Sequence, residues 1–423
     1  MKERVKSLML VALVVCSLIQ SYFLIYRLPG NERVVRTESD YVQTEIMGAQ
    51  AKVEEVIFPQ DIIVHLGDSK HTLFYPNTNF YKLILSRLQG RQFDGFQRYT
   101  ATNLNWNTIR EQNEGIELRF GRGVPVGVLQ KVMQISNDSI FEDESINRIL
   151  IYNVKNEDKV RVFFFSSQAG VIYEATNADL TVQDVHQQIN FGKAWTPYRL
   201  VNGMYYIPEK NIDALDLVVQ TGTYTSDQMQ RSLSFDPSIT RYIQERNGSE
   251  IYTDIKRSLQ FRQHQNWISY TDPSRRAGSI SLNKDALSAV DFVNQYGGWN
   301  GTYRMEVTEE SDQQSRVLFQ QYYDWLPILD LPGFRYGTMR LDMRQGAPTS
   351  YERSLIYTKD EKSEKRIRVL PGGEVLNRQI ADKAKGQEVS ALYPAYQPIY
   401  SEKGLRLKPV WVILLGSGER IVL

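Results

Sequence analysis

The chain has 423 residues, with 50 Lys+Arg against 49 Asp+Glu, 4 His and 1 Cys. At 42% hydrophobic and 23% charged residues it has the makeup of a folded protein and not of a disordered one. Its near-neutral charge gives no general pull toward nucleic acid, its single Cys excludes an internal disulfide framework or a Cys-rich zinc site, and the lack of several apolar twenty-residue runs excludes a polytopic membrane protein.

The N-terminus breaks this average. Ser7 to Tyr26 is free of charge, preceded by Lys2, Arg4 and Lys6 and closed by Arg27 and Pro29. As a helix rising about 1.5 Å per residue it spans roughly 30 Å, the thickness of a bilayer core. A cleaved signal peptide needs a shorter apolar region and small residues at its cleavage site. This run instead ends in Tyr22, Phe23, Leu24, Ile25 and Tyr26, so the sequence predicts an uncleaved anchor. Lys and Arg are balanced on its two sides. The free amino group on the short side, and the ease with which long domains translocate, favour the N-terminus inside and the rest outside. At 100° per residue Ala12, Cys16 and Gln20 line one stripe of the helix, with Ser17 and Ser21 beside it. Small and polar residues on one arc let helices approach and hydrogen-bond in lipid. These five residues are the predicted membrane contact with a partner helix.

Residues 31–52 are polar and read as a stalk. Val53–Phe58 and Asp61–Leu66 read as strands, and 78–89 as a helix capped by Asn77 with Phe80, Leu83, Ile84 and Leu88 on its apolar face. Strands are predicted at 115–120, 148–154 and 160–166, the last buried on both faces because Phe163, Phe164 and Phe165 are consecutive, and a helix at 179–190. Leu217–Tyr224 alternates as a strand. Asp236-Pro237 has the form of a helix start, with Ile239, Tyr242 and Ile243 as its apolar face and Asn247-Gly248 as its stop. Three short strands follow, at 251–254, 258–262 and 267–272. A helix at 283–296 ends at Gly297-Gly298 and precedes strands at 301–309, 316–329, 336–343 and 351–357. A helix at 373–385 leads into strands at 389–400 and 405–415. No segment has the alternation of a parallel sheet. The expected fold is α+β: one transmembrane helix followed by an elongated extracytoplasmic region of two to three mixed α/β domains with antiparallel sheets.

No catalytic pattern is complete. His65, His71, His186 and His264 match no standard metal-ligand spacing. Gly67-Asp68-Ser69 has the form of a lipase nucleophile but lacks the Asp-x-x-His partner, and reads as a turn. Ser281-Leu282-Asn283-Lys284 fits Ser-x-x-Lys without its companion motifs, so Ser281 or Asn283 reads as a helix cap. Gly121-Arg122-Gly123 lacks the third Gly of a dinucleotide loop, and Gly416-Ser417-Gly418 reads as a hairpin turn. Asp324 and Asp330 have no feature that lifts them above turn-forming acids. The 25 Tyr, 17 Phe and 6 Trp read first as strand and core residues, with an exposed aromatic binding surface as the alternative.

Beyond the anchor come Phe235-Asp236-Pro237-Ser238, Ile251-Tyr252-Thr253-Asp254, Gly297-Gly298-Trp299-Asn300-Gly301, Phe319-Gln320-Gln321-Tyr322, Leu326-Pro327-Ile328, Leu392-Tyr393-Pro394-Ala395-Tyr396 and Leu407-Lys408-Pro409-Val410-Trp411-Val412. In this order, over essentially the whole chain, they resemble the YycH (WalH) family of low-GC Gram-positive bacteria. One departure is Ile255, where the family pattern has Gly. The resemblance implies a protein without catalytic activity or cofactor, held in the cytoplasmic membrane with a large external domain. It implies partners in the sensor histidine kinase WalK (YycG) and the sister protein YycI, met through membrane helices and external domains, and a role in tuning a two-component system that controls cell-wall metabolism. The expected divisions are a tail and anchor over 1–30, a stalk and α+β domain over 31–195, a central α+β domain over 196–278 and a C-terminal domain resembling YycI over 279–423. An anchored envelope scaffold or adhesion protein, or a cell-wall hydrolase using Ser69 or Ser281, are the competing readings.

Overall fold

The computed structural model describes residues 2–26, 47–76, 78–100, 104–262, 266–274, 280–311, 313–359, 364–401 and 403–423. Two compact units are distinguished: one holds helix α1 (Lys2–Tyr26) together with the turn Asp236–Ile239, the other holds the rest. Helix α1 covers the whole charge-free run. Its side chains are described at Arg4, Lys6, Met9, Leu10 and residues 13–22. Among the described residues no helix is long and apolar enough to cross a membrane, so the span itself stays an expectation.

The larger unit is built on mixed α/β structure with antiparallel sheets. Its first sheet has ten strands: β1 (Asp61–Leu66), β2 (His71–Phe74), β3 (Gln92–Thr100), β4 (Glu114–Pro125), β5 (Gln134–Ile135), β6 (Ser145–Asn153), β7 (Val160–Ser166), β8 (Val171–Ala178), β9 (Pro197–Val201) and β10 (Tyr205–Pro208). They run in the order β10-β9-β2-β1-β4-β6-β7-β8-β3-β5, antiparallel except where β3 meets β5. Successive side chains of a strand point to opposite faces. Ile62 and Val64 of β1 therefore join the main core, while Asp61, Ile63 and His65 face the other way. Phe163 and Phe164 of β7 are both fully buried, in different clusters, as a strand covered on two faces requires. The main-core face carries α2 (Asn79–Gln89) and α5 (Val182–Ile189), whose buried residues join that cluster. Helix α3 (Trp106–Gln112) packs Trp106 and Ile109 against the opposite face.

A nine-stranded sheet follows. Strands β13 (Arg241–Gln244), β14 (Glu250–Thr253), β15 (Ser258–Arg262) and β16 (Trp267–Thr271) run as a meander and join β21 (Ala347–Ser354), β20 (Thr338–Arg344), β18 (Gln314–Tyr323) and β17 (Thr302–Ser311), with β19 (Leu326–Pro327) on β18. A five-stranded sheet is ordered β23 (Glu364–Leu370), β11 (Ile212–Val219), β25 (Gly404–Leu415) and β24 (Val389–Ser401), with β26 (Arg420–Val422) on β25. A short pair, β12 (Thr221–Thr223) and β22 (Ile356–Thr358), stands apart. Helix α8 (Gly373–Ala384) buries Leu376, Ile380 and Ala384 in the core of the five-stranded sheet.

Helix α7 (Leu282–Gln295) shows how sequence sets position. The Ser281 hydroxyl accepts from the Lys284 amide and caps it, and Ala286, Ala289, Val290 and Val293 recur at three- and four-residue steps on its buried face. Each fully buried Val contributes about 1.5–3 kcal/mol relative to exposure. The helix stops at Gly297 and Gly298, both at positive φ. There the backbone of 48–49 comes so close that a Cβ on Gly298 would lie 2.6 Å from the Gly48 carbonyl oxygen. Ala49 and Trp299 exchange hydrogen bonds of 2.9 and 2.8 Å, and the Asn294 amide clasps Ala51 from both sides. Residues 47–52, read as part of a polar stalk, are thus docked on the fold; the remainder of that stretch lies outside the described residues.

Three local expectations are corrected. Val53–Val56 is a turn of 3-10 helix, not a strand, and Val56 alone of its residues is buried. The cap of α2 is Thr78, whose hydroxyl accepts from the Tyr81 amide, and its buried face is Tyr81, Ile84 and Leu88; Asn77 lies outside the described residues. Asp236-Pro237 opens a turn and not a helix: the Asp236 carboxylate accepts from the Ser238 amide at 2.8 Å and from its hydroxyl, closing a local turn that competes with helix. Arg241–Gln244 then runs as an edge strand with all four residues exposed.

Candidate functional site

The predicted contact arc lies on α1. Cys16, Ser17, Gln20 and Ser21 are exposed, and the side chain of Ala12 lies outside the described residues. The flanks of the arc are exposed too: Met9, Leu10, Leu13 and Leu18 are each about two-thirds exposed, and Val14, Val15 and Ile19 about half.

The catalytic candidates all have structural duties. Gly67, Asp68 and Ser69 form the β1–β2 turn, each at positive φ, with the Ser69 amide bound to the Glu111 carbonyl. Ser281 caps α7, as expected of one of two candidates. Gly121-Arg122-Gly123 is a bulge in β4, where the pairing with β6 shifts register, and it opens no helix. Gly416-Ser417-Gly418 is the β25–β26 turn. Asp324 sits at positive φ in the β18–β19 turn. Asp330 accepts from the Gly337 amide at 2.8 Å and from the Thr338 hydroxyl, and burial pushes its carboxyl up.

A buried polar cluster does form, which spacing alone did not reveal. The β1–β2 hairpin pairs His65 directly with His71, and β4 brings Glu117 and Arg119 to the same face. His65 Nε2 lies 3.1 Å from Glu117, and the two Nδ1 atoms lie 3.0 Å apart. Glu117 also accepts from Arg110 at 2.8 Å and pairs with Arg148 at 3.3 Å. Arg119 forms two bonds to Asp61, of 2.6 and 2.7 Å, and lies over the Tyr206 ring. The bonds fix the tautomers. His65 donates through Nε2 to the carboxylate, so its Nδ1 accepts from His71 Nδ1–H, and His71 Nε2 is left as a bare acceptor. That atom is buried without a partner among the described residues. Burial holds His65 below its ordinary pKa and His71 down at about 3, while Arg110, Arg148 and the His65 bond keep Glu117 well below the carboxylate range despite its burial. With both imidazoles neutral, the cluster sets three guanidinium charges, of Arg110, Arg119 and Arg148, against the two carboxylates of Glu117 and Asp61. Among the described residues no three His, Cys, Asp or Glu side chains are grouped to hold a metal ion. His186, on α5, bonds Glu114 at the surface.

Two family descriptions match the chain: the N-terminal domain of the YycH protein over residues 3–193 and its C-terminal domain over residues 203–416. No curated protein matches the sequence. Among solved structures, YycH from Bacillus subtilis superposes with a TM-score of 0.70 at 18% identity, over 89% of this chain and 98% of that one. An uncharacterized protein from Eubacterium rectale (TM-score 0.38, 12% identity, 54% of this chain, 89% of that one) and the C-terminal domain of YpeB from Bacillus megaterium (0.26, 12%, 48% and 92%) are more distant. With both family segments matched in order and the fold shared over 89% of its length, the chain belongs to the YycH family.

Proposed function

We propose that the chain is a non-enzymatic, membrane-anchored regulator of a WalK (YycG)-type sensor histidine kinase that controls cell-wall metabolism. It acts with a YycI-type sister protein, through its N-terminal helix and its external region. In this reading the N-terminus is inside, α1 crosses the cytoplasmic membrane and residues 27–423 lie outside. Family membership supports the kinase system. The observation that carries the anchor is the run of exposed large apolar side chains from Met9 to Ile19 on a 25-residue helix. In water each costs free energy in proportion to its apolar area; lipid removes that cost.

A regulator without chemistry acts by binding one state of its partner more tightly than another. About 1.4 kcal/mol of such preference shifts the kinase population tenfold. Gln20 is the residue of the arc with the most to gain from a partner, because an amide in lipid seeks a hydrogen bond. The test is Gln20→Leu in the full chain, read by co-isolation with the kinase from membranes and by kinase output. A severalfold loss of co-isolation, with the chain still membrane-bound, is expected; an unchanged yield assigns the contact elsewhere.

A further inference from the structure

A cleft of about 390 Å³ opens where the first sheet, the nine-stranded sheet and the five-stranded sheet meet. Its lining is dominated by arginine: Arg119 and Arg122 from β4, Arg148 from β6, Arg304 from β17 and Arg420 from β26, against one acid, Glu306. Some of this charge is neutralised within the fold. Arg304 is committed to Glu306, the Phe120 carbonyl and the Tyr322 hydroxyl, and Arg119 to Asp61. Arg148 shares Glu117, at 3.3 Å, and lies over the Phe165 ring at 5.1 Å, with its side chain one-third exposed. Burial first, and the nearby Arg110 and Arg119 charges after it, pull it below its ordinary pKa against the opposing pull of Glu117. Arg122 and Arg420 are exposed at the cleft, and neither forms an ion pair with a described residue. Tyr393 lines the same cleft, within electrostatic reach of Arg420, Glu306, Arg304 and Arg122.

We infer that this cleft is a binding site for a small dianionic oxyanion of the phosphate class, gripped by Arg122, Arg420 and Arg148. Guanidinium forks match phosphate oxygens in geometry and charge, and the volume is that of a small-ligand site. Arg122 and Arg420 project from different sheets, so an anion bridging them cross-links the N-terminal and C-terminal parts of the fold. Among the described residues neither guanidinium has an ion-pair partner to lose, so their replacement is expected to leave the scaffold intact.

The test is calorimetric titration of the full chain in detergent with inorganic phosphate, against chloride at matched ionic strength. Saturable one-site binding is expected. Arg122→Gln and Arg420→Gln each weaken it about tenfold, the scale of a lost charge-assisted hydrogen bond, while the thermal midpoint without phosphate stays put. Arg420→Lys recovers part of the affinity. No saturable binding, or binding undiminished in the Arg122→Gln/Arg420→Gln double variant, overturns the inference.

Discussion

At the scale of the residue, Ile255 is the clearest case of sequence and structure explaining each other. It is the position where the resemblance leads one to expect Gly, and its φ is +76° with the side chain 87% exposed. A β-branched residue in that region costs about 1–2 kcal/mol, and an exposed side chain returns nothing by packing. The turn persists because its neighbours over-determine it. The Asp254 carboxylate receives the Arg257 amide at 2.9 Å and its guanidinium Nε at 2.8 Å, and Arg257 also bonds the Leu233 and Ser234 carbonyls. Ile255→Gly is expected to stabilise the protein by about 1 kcal/mol, relief of strain exceeding the added freedom of the unfolded chain. Urea unfolding at neutral pH measures it, and a loss of stability would contradict the strain account. The departure was legible in the sequence; its conformational meaning needed the backbone.

Elements carry what single residues cannot. His65 and His71 are unremarkable six residues apart in a list, and become a hydrogen-bonded pair only through the register of the β1–β2 hairpin. Their neutrality in the fold has a pH signature. The unfolded chain protonates its histidines below about pH 6.5, while folded His71 stays neutral down to about 3. The unfolded state therefore takes up the proton first. Stability is complete above pH 6.5 and falls by about 1.4 kcal/mol per unit for His71 as pH drops below it. His71→Gln should flatten the fall in stability between pH 7 and 5 by about 2 kcal/mol; an equal slope in both proteins would show that the pair is not what titrates. The helices with apolar residues at three- or four-residue steps, α7 and α8, are readable from sequence. The segment after Asp236 was not, since a Ser two residues on lets the carboxylate close a turn instead of capping a helix. Nor were β3 and β23, whose alternation is diluted by exposed polar positions.

On the scale of the whole molecule, the hydrophobic pattern predicted antiparallel α/β layers, yet could not say which strands share a core. One cluster runs from Ile116 and Leu118 of β4, through Val290 and Val293 of α7, to Val317 and Phe319 of β18. Strands so joined should open together. Native-state hydrogen exchange at those β4 and β18 amides is expected to report the same opening free energy to within about 1 kcal/mol; a gap of several kcal/mol would divide the unit. The motif Gly297-Gly298-Trp299 sits at this join, where Trp299 stacks edge-on against Phe319 with ring centres 4.8 Å apart and its indole N–H reaches Asn294 at 2.7 Å.

That shared core bears on how such a chain can change over time. The two family segments meet between residues 193 and 203, an apparent seam for recombination. Yet α7, from the later segment, packs on α4 (Val126–Leu129) from the earlier one, where the Asn283 amide sits within 3 Å of any Cβ placed on Gly127. A chimera cut at the seam would bring together two half-interfaces shaped by different histories, and substitutions on either side must be accepted in step.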